Sequence, residues 1–264
     1  MGWRRNKGAG IGRNPIIIST TPREPMALYI PKSVVNIFLF LLIVTGLFYI
    51  FFVSDYFKVK RVVFEGSITS EGRAAAEKSR GKNIFYVNNY RLADEVRKVY
   101  PQAYWVKIYR GLPDVIKVVT AERTVSLIWQ SNDQYYLVDD MGIAFRAIGT
   151  LASNEKWQAL PLVIDIGNFK VELGKRLISS RFIDFISYIH DNFSEVEGSK
   201  LVRIEVAETS FHPVLVTDLG WKVLLDSNSP AKDQLDDLKL ILNKHKGDIH
   251  EYVDLRIEGW GYYK

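Results

Sequence analysis

The chain has 264 residues, 47% of them hydrophobic, and no cysteine, so disulfides and thiolate metal sites are excluded while an oxidising exterior is tolerated. Its net charge of +5 and pI near 9.1 point toward nucleic acid only until the charge is located. Arg4, Arg5, Lys7, Arg13, Arg23 and Lys32 against Glu24 carry the whole excess in a tail, residues 1–33, so no folded basic face and no nucleic-acid partner are expected.

That tail suits anionic lipid headgroups or a cytoplasmic orientation signal. Its Gly8-Ala9-Gly10-Ile11-Gly12 segment follows no strand and opens no helix, so it is a spacer and not a phosphate loop. Next comes an uncharged apolar run, Val34 to Val53, in which Asn36 and Thr45 are the polar interruptions. Twenty residues at about 1.5 Å each give roughly 30 Å, the thickness of a bilayer's hydrocarbon core. The run is too long and too far from the start for a cleaved signal core, so it predicts one retained membrane span, residues 34–53. The basic tail places the N-terminus in the cytoplasm and the remaining chain outside it, although Lys58, Lys60 and Arg61 follow the other end.

After the span, Val59–Phe64 reads as a strand closed by Glu65-Gly66-Ser67. A helix is expected from about Ser70 to a stop at Gly81, and a second from an N-cap near Asn89, with Leu92, Val96, Val99 and Tyr100 on one face before Pro101. Tyr104–Tyr109 and Val115–Val119, joined by Arg110-Gly111-Leu112-Pro113-Asp114, read as a hairpin. The order β-α-α-β-β makes a small α+β domain with two helices on one face of a sheet.

Farther on, Phe182, Phe185, Ile186, Ile189 and Phe193 form one helical stripe, and Leu235, Leu238, Ile241 and Leu242 form another after Ser229-Pro230. Val202, Ile204 and Val206 alternate with Arg203 and Glu205, and strands follow at Val214–Thr217 and Trp221–Leu225. A second domain with a mixed sheet and helices on it is expected. In the last strand Val253, Leu255 and Ile257 alternate with Asp254, Arg256 and Glu258, so one face is buried and the other polar; lying near the chain end, it is a candidate sheet edge able to accept a strand from another protein.

Chemistry-bearing patterns are sparse. His190, His212, His245 and His250 lack metal-ligand spacing. Asp139-Asp140 and Asp236-Asp237 are sequence neighbours, which face apart on either a strand or a helix. Neither Gly-x-Ser-x-Gly nor His-Glu-x-x-His occurs, and no Ser-x-x-Lys tetrad is expected. No metal, cofactor or catalytic residue is assigned; the alternative reading is a membrane-anchored extracytoplasmic hydrolase with an unrecognised site.

Several segments carry a resemblance. The β-α-α-β-β order, Tyr104-Trp105-Val106-Lys107 ahead of Arg110-x-x-Pro113, and the closing Glu122-Arg123 resemble the POTRA domain of the FtsQ/DivIB family of bacterial division proteins, with Thr124 where the family usually has Pro. Leu137–Phe145, with Asp139, Gly142 and Phe145, is similar to the strand-turn-strand opening that family's second domain, and Leu160-Pro161-Leu162 to a second landmark, its following Gly delayed to Gly167. Tyr252-Val253-Asp254-Leu255-Arg256 is similar to the closing strand.

The resemblance implies a POTRA domain over 56–125 and a C-terminal FtsQ/DivIB-type β domain over 126–264. It further implies a non-catalytic, single-pass scaffold of the divisome in the cytoplasmic membrane at the septum. FtsB-like and FtsL-like proteins, other divisome membrane proteins and the lipid bilayer are its implied partners. Carried onto this sequence, the partner-binding residues are Arg256, Ile257, Glu258, Gly259, Trp260 and Tyr262, with Ile257 where relatives often have Tyr.

Overall fold

The computed structural model describes residues 31–151, 155–196, 199–207 and 212–264, together with Gly2 and Gly12. Arg4, Arg5, Lys7, Arg13 and Arg23 of the basic tail lie outside the described residues. The chain divides into two compact units, one through Phe48 and one from Tyr49 onward. In the first, helix α1 spans Lys32–Phe48 and buries none of its side chains, as suits a helix whose solvent is hydrocarbon. Helical structure continues as a π-turn over Tyr49–Val53, and Lys32–Val53 is the helix among the described residues long and apolar enough to cross a membrane.

The second unit contains two sheets. The first has strands β1 (Arg61–Glu65), β2 (Ala103–Gly111) and β3 (Val115–Glu122), with helices α2 (Ser70–Glu77) and α3 (Asn89–Val99) between β1 and β2. The expected β-α-α-β-β order is therefore present, with β3 in the centre, parallel to β1 and antiparallel to β2. Thr69 Oγ1 and Asn88 Oδ1 cap α2 and α3 by accepting the N–H of Gly72 and Arg91, so the cap falls one residue before Asn89. Leu92, Ala93, Val96 and Tyr100 are buried while Val99 is 46% exposed: the inward stripe is narrower than the one read from spacing. Together with Ala76, Ile84, Ile116 and Val118 they form this sheet's core.

The second sheet comprises β4 (Leu127–Ser131), β5 (Gln134–Val138), β6 (Ala144–Ile148), β7 (Leu162–Asp165), β8 (Leu201–Val206), β9 (Val214–Thr217), β10 (Lys222–Leu224), β11 (Tyr252–Ile257) and β12 (Trp260–Tyr263), in spatial order 12-11-10-9-8-7-4-5-6. Helix α4 (Glu155–Gln158) precedes β7, α5 (Ser180–Asn192) precedes β8, and α6 (Ala231–His245) joins β10 to its parallel neighbour β11. Phe182, Phe185, Ile186, Ile189 and Phe193 from the α5 stripe and Leu235, Leu238 and Leu242 from α6 bury against Leu127, Trp129, Val163 and Val223. Ile128 points the other way, into a smaller core with Leu137, Phe145 and Ile148. The mixed sheet with helices on it is as the sequence predicts.

One register irregularity overturns part of the alternation read from sequence in β8. A bulge between Leu201 and Arg203 packs Leu201 against the main core and leaves Val202 50% exposed, so Val202 leaves the face that Ile204 and Val206 share in the core. Glu205 shares the other face with Arg203 as the alternation predicts, and is buried there between Arg203 and Lys222, which donate to its two carboxylate oxygens at 2.8 and 3.2 Å.

The sheets are stitched together at Arg123. Its backbone N–H donates to Gln102 O at 2.9 Å and its Nε to Pro101 O at 3.1 Å, while Nη1 pairs with Asp139 Oδ2; the two side chains are 7% and 0% exposed. Asp139 Oδ1 also accepts the N–H of Met141 and Ile143 at 3.1 and 2.8 Å, closing the β5–β6 turn. That turn needs Gly142, whose φ is +75° and whose Cβ, were one present, would lie 2.0 Å from Ile178 O.

Candidate functional site

The residues assigned to partner binding converge on one hairpin. Strand β11 does not form the sheet edge, contrary to the expectation for Tyr252–Ile257: it is paired with β10 on one side and with β12 on the other. The reason is local. Glu258-Gly259, with Gly259 at φ +74°, reverses the chain in two residues, and Trp260–Tyr263 returns as the outer strand. Half of the backbone donors and acceptors of an outer strand point away from its sheet, where another chain can pair with them.

Ile257 is the second correction. Val253 and Leu255 are buried as expected, but the register shifts between Asp254 and Ile257, and Ile257 is 58% exposed opposite Trp260. Cross-strand partners share a face, so Ile257 and Trp260 make one apolar pair, with Tyr262 opposite Asp254 beside it. Trp260 is 65% and Tyr262 54% exposed. Arg256, expected to face a partner alone, grips Asp254 on its own strand through Nε and Nη2 at 2.9 and 2.6 Å. That hydrogen-bonded pairing holds the Asp254 carboxyl below its ordinary range and raises the Arg256 guanidinium. The exposed face is thus an aromatic and aliphatic strip flanked by an internally balanced ion pair.

Sequence reading missed β12 itself and what anchors it. The Tyr263 ring stacks on His245, with centroids 5.1 Å apart, and its hydroxyl lies 3.1 Å from His245 Nδ1. Gly261 lets the strand approach α6: a Cβ there would meet Ile241 Cδ1 at 2.3 Å. The available signal was the Glu258-Gly259 pair between two β-prone runs.

Among the described residues, several groups of the kind hydrolysis uses already have partners, although the buried Ser199 Oγ beside the His190 cavity has none. Contrary to the expectation that the chain has no Ser-x-x-Lys, Ser79-Arg80-Gly81-Lys82 and Ser229-Pro230-Ala231-Lys232 are such tetrads. The buried Ser79 Oγ donates to Ala76 O at 2.7 Å, and Ser229 Oγ lies 3.5 Å from Asp226 Oδ2. A cavity of about 610 Å³ is lined by His190, Ser194 and Asp218 among others, but His190 Nδ1 lies 3.3 Å from Asp191, a carboxylate 74% exposed to solvent. Among the described residues, no three His, Asp or Glu side chains gather as metal ligands.

These features define a class: a chain with, among its described residues, one membrane-length apolar helix, and sheet domains that expose an aromatic strip on an outer strand. A sequence profile described as the C-terminal region of the cell division protein FtsQ/DivIB matches residues 127–256. The chain is 30% identical over 208 residues to a cell division protein DivIB of Clostridium acetobutylicum, covering 77% of this chain and 81% of that protein. It is 28% identical over 134 residues to a cell division protein FtsQ of Chloroflexus aurantiacus, covering 50% of this chain but only 47% of that relative's length. The chain belongs to the FtsQ/DivIB family, and with it to the proteins of bacterial cell division.

Proposed function

We propose that the protein is a non-catalytic, single-pass scaffold of the divisome, with its N-terminal tail in the cytoplasm and both sheets outside, holding partners together at the septum. The three-stranded sheet with α2 and α3 serves as the POTRA domain, residues 56–125, and the nine-stranded sheet, residues 126–264, as the partner-binding β domain. FtsB-like and FtsL-like proteins are the partners, and the strand they supply pairs with β12.

The observation that carries this reading is the hairpin itself: an outer strand with Ile257, Trp260 and Tyr262 exposed along one strip. Backbone pairing supplies affinity in such an addition, and the exposed side chains supply choice of partner. Because the chain lacks cysteine, single cysteines can be placed without removing any. With the full chain co-expressed with the FtsB-like and FtsL-like proteins of the same genome, Tyr262→Cys should cross-link to the FtsB-like chain. Ala147→Cys, on the opposite outer strand β6, should not. Equal cross-linking at both positions, or none at 262, sinks the assignment.

A further inference from the structure

The polypeptide leaves the apolar helix directly into an aromatic cluster of the first sheet domain. Phe51 stacks on Phe57 with ring centroids 4.9 Å apart and meets Phe85 edge-on at 5.9 Å, while Phe57 and Phe85 are 5.2 Å apart. Phe52 reaches Phe85 at 6.2 Å and Tyr86 at 5.8 Å. The junction is more than ring contact. Buried Asn83 donates its Nδ2 to Phe51 O at 2.7 Å, supplying a partner to one of the carbonyls that a helix end leaves unpaired, while its Oδ1 accepts the Phe85 N–H at 2.9 Å. Ile84 N–H donates to Phe57 O at 2.8 Å. The segment 83–86 is thereby hydrogen-bonded to the last turn of the apolar run, yet Tyr86 stays 67% and Tyr56 58% exposed.

We infer that Phe52, Tyr56, Phe85 and Tyr86 form a ledge seated in the headgroup and acyl boundary of the bilayer, in the leaflet through which the chain exits. This rests on the reading that residues 34–53 span a membrane. A twenty-residue span uses its full length to cross roughly 30 Å of hydrocarbon, which puts Phe51 and Phe52 at the boundary. Rings in contact with theirs lie at nearly the same depth. Tyrosine suits that depth because its ring is apolar and its hydroxyl needs water or a headgroup. Exposed Lys60 and Lys82 flank the ledge and match the phosphate layer in charge. The occupant is lipid, because Phe51 and Phe52, which the ledge rings contact, belong to the uncharged run Val34 to Val53 that the spanning reading places in hydrocarbon.

The test uses the full chain in liposomes, with a fluorophore on single cysteines at Phe40, Tyr86 or Val99, the last about 15 Å along α3 from its start. Nitroxides are carried either at shallow or at deep acyl positions of the lipid. Deep nitroxides should quench the label at 40 most strongly. Shallow nitroxides should quench the label at 86 at least threefold more than the one at 99. If 40 is quenched but 86 behaves like 99, the span holds and the ledge is wrong; protection of 86 that appears only on adding a partner protein overturns it equally. If 40 is not quenched by either lipid, the spanning reading falls and takes the ledge with it.

Discussion

Arg123 shows what one residue can do when its charge is taken out of water. Breaking such a pair by removing one member costs about 3–5 kcal/mol, because the remaining charge keeps its desolvation penalty. Arg123→Met, which retains much of the aliphatic bulk, should lower the unfolding free energy obtained by urea titration by an amount in that range, and adding Asp139→Asn should recover part of the loss; a change under about 1 kcal/mol would show that the pair is not closed in solution. Glu205 makes a pH prediction. Burial pushes its pKa up, but hydrogen bonds from Arg203 and Lys222 outweigh burial and hold it below the ordinary 4.5. A depressed carboxylate stabilises the fold above its unfolded-state value, and the contribution is lost as pH falls through the folded-state value. Glu205→Gln should therefore destabilise at neutral pH and converge with the parent on acidification; thermal midpoints from pH 7 to 3 that stay equally separated would contradict this. Glu122-Arg123 was legible in the sequence as a landmark, but its partner Asp139 was not: nothing in a spacing of sixteen residues reports that two charges meet.

Helices were more legible than strands, for a physical reason. The α5 stripe is buried at every position the periodicity chose, since a helix facing one core keeps its pattern over many turns. Strands lose theirs to a single bulge, as at Leu201–Arg203 and Asp254–Ile257. Strand β4 went unread because Leu127, Ile128 and Trp129 are buried on both faces and show no alternation. The turn after it places Asn132 and Asp133 at φ +50° and +58°, a two-residue reversal spelled in residues that tolerate it. At the terminal hairpin, Gly259→Val forces a β-branched residue into φ +74°, at a cost of about 1–2 kcal/mol. Amide exchange should speed up across Tyr252–Tyr263 while α5 stays protected, and partner capture should fall; uniform acceleration throughout would mean that the hairpin is not a separate element.

For the molecule as a whole, the chain order of apolar helix and sheets was readable from the sequence, whereas the hydrogen bond that ties the first sheet domain to the end of the apolar run was not, because Asn83 and Phe51 lie far apart in sequence. A reporter active only outside the cytoplasm, fused after Lys264, should give signal; activity solely of a cytoplasmic reporter would reverse the proposed orientation. The piece from Tyr56 onward should fold without lipid or metal, because its cores are complete without either. A chelator should leave its thermal midpoint unchanged, and a large drop would reveal a bound ion.

The outer position of β12 has a mechanical side. A strand laid along it from another chain would be pulled along its own axis whenever the two anchored proteins are drawn apart in that direction. Every hydrogen bond of the added pair would then share the load at once, as in a lap joint, whereas a pull across the sheet would open them one at a time. The same few backbone contacts would hold firmly under tension along the strand and release readily when peeled.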